Sequence, residues 1–525
     1  MQRTARKAAG SRSAAKLAPR KTKSHVYLAY IDGEWTPPAS GGVTPNVDPA
    51  RWETVLGLVP ECSREEVAAA TAAAERDFDA WRSTTGDFRT KVFNRLTELL
   101  KENEDYLVRC MTREMGKSLR DSRLDWLEAV GVCEALAPQG ANLKGATYPR
   151  LAPGIAMEGR LAPRGPAAII TPFNFPLAIP LAQIVAALVT GNTVVWKPSH
   201  LTPETSQALA LLVLESLDVE AQRHATSVPR GVFHLLLGDA ICGDALVRAP
   251  PVRTISFTGS KRVGDKVDSV GSGLGKRVMK ELGGINVFYV HETADIDRAA
   301  RNFLYGKTIT SGQRCSSIQE VLADPGVYSR FVERAKRLAE NVVYGPGASD
   351  AVSKADASPD HFSCPPLVSR EQLERLEKLV QGSIEQGAKM VYQGKVPRAL
   401  REQGFYYPLT MLGDVSPAAP LYASEAFGPV AVLTRVKGPQ EAIRIANEKT
   451  GIVACIDAKD KSVTENFLEA VLRTRIDDGR HGTGCFWGTK FGGDRGAGSG
   501  NPALDEDMVH GYCIWKTIYR AYTPF

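Results

Sequence analysis

Apolar residues in the middle of the chain come in short dense runs separated by longer ones: AAII from Ala167, LAIPLAQIVAALV from Leu177, TVVW from Thr193, then ALALLVLESL to Leu217. Short runs bounded by turn residues predict buried strands, and the longer runs between them predict helices. The segment therefore reads as strand, turn, buried helix, strand, helix. Such alternation predicts a parallel, doubly wound α/β sheet. It continues to Lys280 through GVFHLLLG, DAICGDALVRAP, VRTISFTGS, a helix from Lys261 and the strand KRVMKELG.

The flanks follow other patterns. YLAYIDGEWTPP predicts a short strand pair, and from Arg64 to about Ala141 the stretches REEVAAATAAAERDFDAW and KVFNRLTELLKENEDYLVRCMTREMG carry apolar residues at helical spacing. Those stripes are core. Pro149, Pro153, Pro163 and Pro166 frame short β-like pieces, which predicts a projecting hairpin. From Gly283 to about Ile476 a second α/β unit follows, with NVFYVHETAD, IQEVLAD, GAKMVYQG and VAVLTRVK as strands. SREQLERLEKLVQGSIEQG is an amphipathic helix whose charges form a solvated face.

A chain of 525 residues predicts two or three domains. No apolar run approaches the roughly 20 residues of a membrane span. Nine scattered cysteines with no CxxC pairing indicate neither a disulfide framework nor a metal site, and fit a reducing, cytoplasmic compartment. The formal net charge is +6, but residues 1 to 25 hold eight basic residues and no acid, leaving −2 for the rest. The body is thus not a nucleic-acid-binding surface. The arm reads as a disordered basic segment, with an organellar import signal as the alternative.

Three residues carry candidate chemistry. Cys315, in SGQRCSSIQEV, lies among polar neighbours where a structural cysteine would have apolar ones. An adjacent guanidinium, Arg314, and free backbone N–H groups would lower its thiol pKa and supply a nucleophile. Asn174 stands between Phe173 and Phe175, inside Pro172 and Pro176, so its amide either satisfies local backbone or donates to a charge formed during reaction. Glu281 closes a strand 34 positions before Cys315, ahead of Gly283 and Gly284. Partial burial there would raise its pKa toward that of a general base.

PFNFP, the lysine of VVWKPS, FTGSKRVG, ELGG, GQRCSS and EAFGPV occur in one order. With these motifs the chain resembles the NAD(P)-dependent aldehyde dehydrogenase superfamily from about Tyr27 to Tyr519. The resemblance implies two doubly wound α/β domains and a small β oligomerisation element. Residues 26–141 and 165–280 would bind cofactor, 281–500 would be catalytic, and 142–164 with 501–525 would form the oligomerisation element. Its last strand is expected at Gly511 to Tyr519, in a homo-oligomer.

The resemblance also implies that the Cys315 thiolate attacks an aldehyde, with Asn174 and the Cys315 N–H as oxyanion donors and Glu281 activating the hydrolytic water. NAD or NADP would be contacted by Thr171, Pro172, Phe173, Lys197, Ser199, His200, Gly259, Ser260, Leu282, Glu425 and Phe427. No GxGxxG is present, so Gly259 and Ser260 at the start of a helix would take its role toward the pyrophosphate. The loop Gly492 to Gly500 is expected to fold over the active-site mouth.

Departures bear on specificity. His200 stands where many NAD-selective relatives carry Glu, so no carboxylate there opposes a 2′-phosphate. Phe173, Arg314, Ser316 and Trp487 are substrate candidates, and Ser316 with loop glycines resembles the carboxylate anchor of semialdehyde dehydrogenases such as 1-pyrroline-5-carboxylate dehydrogenase. A CoA-acylating enzyme usually lacks a base at the Glu281 position. A non-catalytic protein on this scaffold would have lost one of Cys315, Asn174 and Glu281.

Overall fold

The computed structural model describes residues 25–37, 42–149, 153–486, 488–500 and 505–522. The basic arm to residue 24 and Trp487 lie outside the described residues.

Two seven-stranded sheets form the body. In the first, the order is Arg277–Glu281, Thr254–Thr258, Ala167–Ile170, Val194–Lys197 and Phe233–Leu235, all parallel, with Ala29–Ile31 and Glu34–Thr36 added antiparallel at one edge. The chain runs outward from Ala167–Ile170 in one direction and then returns to lay Thr254–Thr258 on its other side. That reversal opens a crevice at the carboxyl ends of these two strands, where open α/β sheets bind ligands. The second sheet runs Lys389–Gln393, Thr410–Gly413, Val430–Arg435, Ile318–Ala323, Asn286–Val290, Val453–Asp457 and Arg475–Asp478, with only the first strand antiparallel.

Ala178–Val189 is buried on nearly every side, as its unbroken apolar run predicts. Its last carbonyls are capped from outside: Trp81 Nε1 donates to Leu188 O at 3.1 Å and Arg89 Nε to Val189 O at 2.8 Å. At its start Ala178 N donates to Asp125 Oδ1 at 2.9 Å, so the helix that follows TPFNFP is fixed at both ends.

Three details depart from expectation. The long pattern ending in TREMG divides at Asn103 into Gly86–Glu102 and Glu104–Met115, because the Asn103 amide donates to Leu99 O and ends the first helix. A hairpin of Val43–Asp48 and Arg51–Pro60, which no pattern announced, carries Trp52 to the second unit, 5.6 Å from the Phe405 ring. The last strand is Cys513–Ala521 rather than Gly511 to Tyr519. Gly511 sits where a Cβ would come within 2.2 Å of Met279 Sδ, and Tyr512 O accepts from Arg164 N and Asn192 Nδ2, so both belong to the preceding turn. The strand then pairs antiparallel with all of Ile155–Pro163.

Candidate active site

The sequence before the nucleophile builds a strained turn. Thr310, Ser311 and Gly312 take φ values of 53°, 52° and 71°, and the first two are costly for residues with a Cβ, about 1–3 kcal/mol each. Surrounding groups hold the turn. Thr310 N donates to Asp121 Oδ2 at 2.7 Å, Ser311 Oγ to Pro365 O at 2.5 Å, and Arg314 Nε to Thr310 Oγ1 at 3.0 Å. Gln313 Oε1 accepts from Val368 N at 3.1 Å. The result is that Cys315 alone among residues 309–324 is not fully buried, and its N–H meets no acceptor among the described residues.

Cys315 opens into a cavity of ≈100 Å³ at the crevice between the sheets, shared with Glu281, Arg314, Ser316, Glu128, Phe175, Gln183 and Cys485. Burial pushes its thiol well above its ordinary pKa, and the Glu281 carboxylate adds to the shift. This corrects the sequence expectation of a lowered value. Arg314, one residue away in the chain, turns its guanidinium onto the Phe175 ring, 4.8 Å from the centroid, rather than onto the sulfur.

Glu281 ends its strand as expected. Burial pushes its carboxyl up to about 8, against the pull of the Gly493 N–H, which donates to both carboxylate oxygens at 2.9 and 2.7 Å. Gly493 belongs to the glycine-rich loop, which adds along the strand end through Leu282 N to Ala497 O and Ser499 N to Lys280 O, each near 2.8–2.9 Å. That loop lies on the site, as expected. Beside it, Arg475 Nη1 donates to Gly484 O at 2.6 Å and approaches Cys485 Sγ at 3.6 Å, fixing the second thiol against the cavity.

Asn174 is buried, and its side-chain oxygen has no partner among the described residues. Its backbone carbonyl accepts from Lys117 Nζ at 3.2 Å. Arg314 is 3% exposed and its Nη2 is likewise unpartnered. Phe173 turns away to meet Phe427 edge-on at 5.9 Å, and it is Phe175 that lines the cavity.

The expected cofactor residues gather at the carboxyl ends of the first sheet. Lys197 Nζ donates to Pro198 O at 2.9 Å and Gly238 O at 2.7 Å, which leaves one N–H. Thr171 Oγ1 accepts from the Trp196 indole Nε1 at 2.9 Å, and Ser199 Oγ from Leu201 N at 3.2 Å, so one hydroxyl is held by a side chain and the other by the backbone turn. Ser260 precedes the 13-residue helix Lys261–Gly273 without a side-chain cap, leaving its first N–H groups open. Leu282 is buried, packed where a Cβ on Gly264 would come within 2.3 Å. From the loop before the strand Val430–Arg435, the Glu425 carboxylate lies over Gly283, where a Cβ would come within 2.2 Å of it, and burial pushes it up to about 7. Phe427 holds φ 49° beside it. His200 Nδ1 stands 3.7 Å from Asp239 Oδ1, the residue that precedes the helix Ala240–Arg248, so a carboxylate from a neighbouring turn also reaches this corner.

Sequence reasoning missed Glu128, Phe175 and Gln183. Asp121, Asp125 and Glu128 lie at spacings of four and three on one face of the helix Leu119–Leu136, which was the available signal for a buried acidic face.

Comparison with known proteins agrees with this geometry. Residues 35–518 match the model of the aldehyde dehydrogenase family. The chain is 32% identical over 440 residues to the NADP(+) succinate-semialdehyde dehydrogenase of Escherichia coli, covering 83% of this chain and 86% of that one. It is 26% identical over 501 residues to the alpha-ketoglutaric semialdehyde dehydrogenase of Bacillus subtilis, covering 95% and 99%. The betaine aldehyde dehydrogenase of Staphylococcus aureus, solved with NAD+, superposes with a TM-score of 0.88 at 24% identity, covering 95% of each chain. The chain belongs to the aldehyde dehydrogenase family and is an NAD(P)+-dependent aldehyde-oxidising enzyme.

Proposed function

We propose that the enzyme oxidises a semialdehyde, an aldehyde whose far end is a carboxylate, with Cys315 as nucleophile and Glu281 as base. The observation that carries the substrate class is Arg314 Nη2, a guanidinium nitrogen buried without a partner beside the nucleophile's cavity. An unpaired buried cation is unfavourable until an anion arrives, and a carboxylate fits a guanidinium's fork. Ser316 lines the same cavity and adds a hydroxyl donor. The semialdehyde substrates in the names of the two curated relatives support the same class.

The residues at the first sheet's carboxyl ends fit a dinucleotide. The open N-terminus of Lys261–Gly273 would face its pyrophosphate, and Lys197 and Glu425 would hold its riboses. Bound NAD(P)+ supplies a hydride acceptor. The chain's own residues do the rest. In the ionised form of Glu281, the carboxylate takes the Cys315 proton, and the thiolate adds to the aldehyde carbon. The oxygen that becomes anionic is taken by the Cys315 N–H and the Asn174 amide, donors with no competing partner; one such donor typically contributes about 2.7–4 kcal/mol. Glu281 returns the first proton to solvent, and once the Cys315 thioester has formed it takes a proton from water, whose oxygen attacks the acyl carbon; the C–S bond breaks, releasing the acid and the Cys315 thiolate, which is reprotonated. Burial keeps both groups largely protonated near neutral pH, so the reactive form is the one in which Glu281 has already lost its proton.

The arrangement divides as residues 26–141 and 165–280 for cofactor, 281–500 for chemistry, and 142–164 with 501–525 for assembly. Trp515, Tyr519 and Tyr522, exposed on and just after the last strand, support a homo-oligomer, and nine cysteines without a disulfide support a cytoplasmic setting. The test is kinetic. Comparing 5-oxopentanoate with pentanal, kcat/KM should favour the carboxylate substrate, and Arg314→Gln should remove that preference. Cys315→Ala should abolish oxidation of both. Equal use of the two aldehydes by the intact enzyme, or a preference untouched in Arg314→Gln, would sink the reading.

A further inference from the structure

Two peptide planes meet at the Cys315 Cα, and different parts of the molecule hold them. The plane on its amino side, which carries the Cys315 N–H, is held within the turn by Ser317 N donating to Arg314 O at 3.0 Å. The plane on its carboxyl side is held from outside. Asn286 Nδ2 donates to Cys315 O at 2.7 Å and to Ser317 O at 3.0 Å, two carbonyls that lie ahead of the strand pairing that begins at Asn286 and Ile318. On its other side Asn286 Oδ1 accepts from Ile452 N at 3.0 Å and Val453 N at 2.8 Å. The amide thus uses both donors and both lone pairs, a complete set for a side chain that is fully buried. It stands behind the wall of the nucleophile's cavity rather than in it, so it touches no ligand.

We infer that Asn286 is a positioning residue for the reaction: its hold on the Cys315 carbonyl sets the thiol against the oxyanion donors and against Glu281. This rests on Cys315 being the nucleophile. With both flanking planes held, rotation about Cα–Cβ is the freedom left to the sulfur, so its approach to an aldehyde carbon and the aim of the Cys315 N–H are fixed together. The base enters the same frame through the chain. Glu281 ends its strand, and the chain reaches Asn286 through Gly283, Gly284 and Ile285, where Ile285 N donates to Thr450 O at 2.6 Å and a Cβ on Gly284 would come within 2.4 Å of that oxygen. So close a crossing leaves the segment little play. One buried amide therefore joins nucleophile and base where the chain passes from the first sheet to the second.

Two reagents that modify Cys315 without cofactor separate its aim from its reactivity. With 4-nitrophenyl acetate the thiolate adds to the ester carbonyl, whose oxygen becomes anionic; the C–O bond then breaks and 4-nitrophenolate leaves. With iodoacetamide the thiolate displaces iodide and no oxyanion forms. Relative to the intact enzyme, Asn286→Ala should slow acylation about a hundredfold, the low end of the range for a lost oxyanion donor, while alkylation of Cys315, followed by peptide mass, slows by no more than about threefold. Asn286→Asp keeps the acceptor for Ile452 and Val453 but cannot supply both donors, so it should split the two rates in the same direction with the second sheet intact. If acylation and alkylation fall together, if neither falls, or if both variants lose the cooperative urea transition of the intact chain, Asn286 is a tie between strands, and the inference falls while Cys315 keeps its role. If Cys315→Ala releases 4-nitrophenolate at the intact rate, the nucleophile reading falls and takes the inference with it.

Discussion

The helix Leu119–Leu136 presents two carboxylates three residues apart to two cations, and the pairs end differently. Asp125 accepts from Lys117 Nζ at 2.6 Å and from Ala178 N at 2.9 Å, with both charged side chains fully buried. Glu128 and Arg314 line one cavity without closing on each other. The first pair is structural. It ties the glycine-terminated helix Glu104–Met115, whose next residues are Gly116 and Lys117, to the start of Ala178–Val189, and Lys117 also holds the Asn174 carbonyl. The second pair has the same charges but is held apart, because Arg314 Nε is tied to Thr310 and its plane to the Phe175 ring. A closed pair leaves nothing for a ligand, whereas an open one specifies what the ligand must bring.

That contrast is most sharply broken at Lys117. Lys117→Met leaves Asp125 charged and buried with only one donor, which should cost about 3–5 kcal/mol. The urea midpoint of the variant would fall accordingly. A loss below about 1 kcal/mol would mean that the closed pair is not what holds the helices together. Arg314→Gln is the counterpart: it loses the Nε bond to Thr310 Oγ1 and should cost no more than about 1.5 kcal/mol, while semialdehyde kcat/KM falls between about tenfold and a hundredfold, the range for losing a hydrogen bond to a charged group. A variant that unfolds as readily as Lys117→Met would place Arg314 with the structural pair.

Glu281 stands between these cases, since its carboxylate has a donor, Gly493 N, yet burial still pushes it up to about 8. A base must be ionised, so turnover should rise with pH from about 7 through 8 as the carboxyl loses its proton. Glu281→Gln should flatten that limb and lower kcat by about 10²–10⁴. The sign for folding is opposite. A carboxyl pKa raised in the folded state contributes stability at low pH that is lost as pH rises from 4.5 to about 8. A pH profile of the variant that keeps the wild-type limb would assign the titration to another group.

Legibility in the sequence follows a similar division. Strands and helices of both sheets were readable where apolar runs were dense, as in AAII and LAIPLAQIVAALV, because burial on both faces erases polar alternation. Cys315 and Glu281 were readable because each is chemically out of place beside its neighbours. Glu128 was not, because a glutamate on a helix usually faces solvent; only the packing of Leu119–Leu136 against Ala178–Val189 turns its face inward. The thiol's environment also escaped, because adjacency in sequence suggested that Arg314 would face the sulfur, and the positive-φ turn directs it elsewhere. The hairpin at Val43–Asp48 lacked a signal for a simpler reason: its strands are exposed over most of their length, so no alternation of buried and exposed positions marks them.

The smallest expected effect concerns an exposed charge rather than a buried pair. Asp239, at 72% side-chain exposure, stands 3.7 Å from His200 beside Lys197's carbonyl partner Gly238. Burial lowers the His200 pKa, so near neutral pH the imidazole is uncharged and does not cancel the Asp239 charge. A 2′-phosphate entering this corner would meet that carboxylate in high dielectric, where repulsion at about 4 Å is on the order of 1 kcal/mol. The intact enzyme should therefore use both cofactors with a mild preference for NAD+, and Asp239→Asn should raise kcat/KM for NADP+ by about fivefold with that for NAD+ within twofold. Raising salt should shrink the difference, because an exposed charge is screened. If Asp239→Asn alters both cofactors equally, the carboxylate acts through the shape of the corner rather than its charge, and exposed charge here carries no specificity of its own.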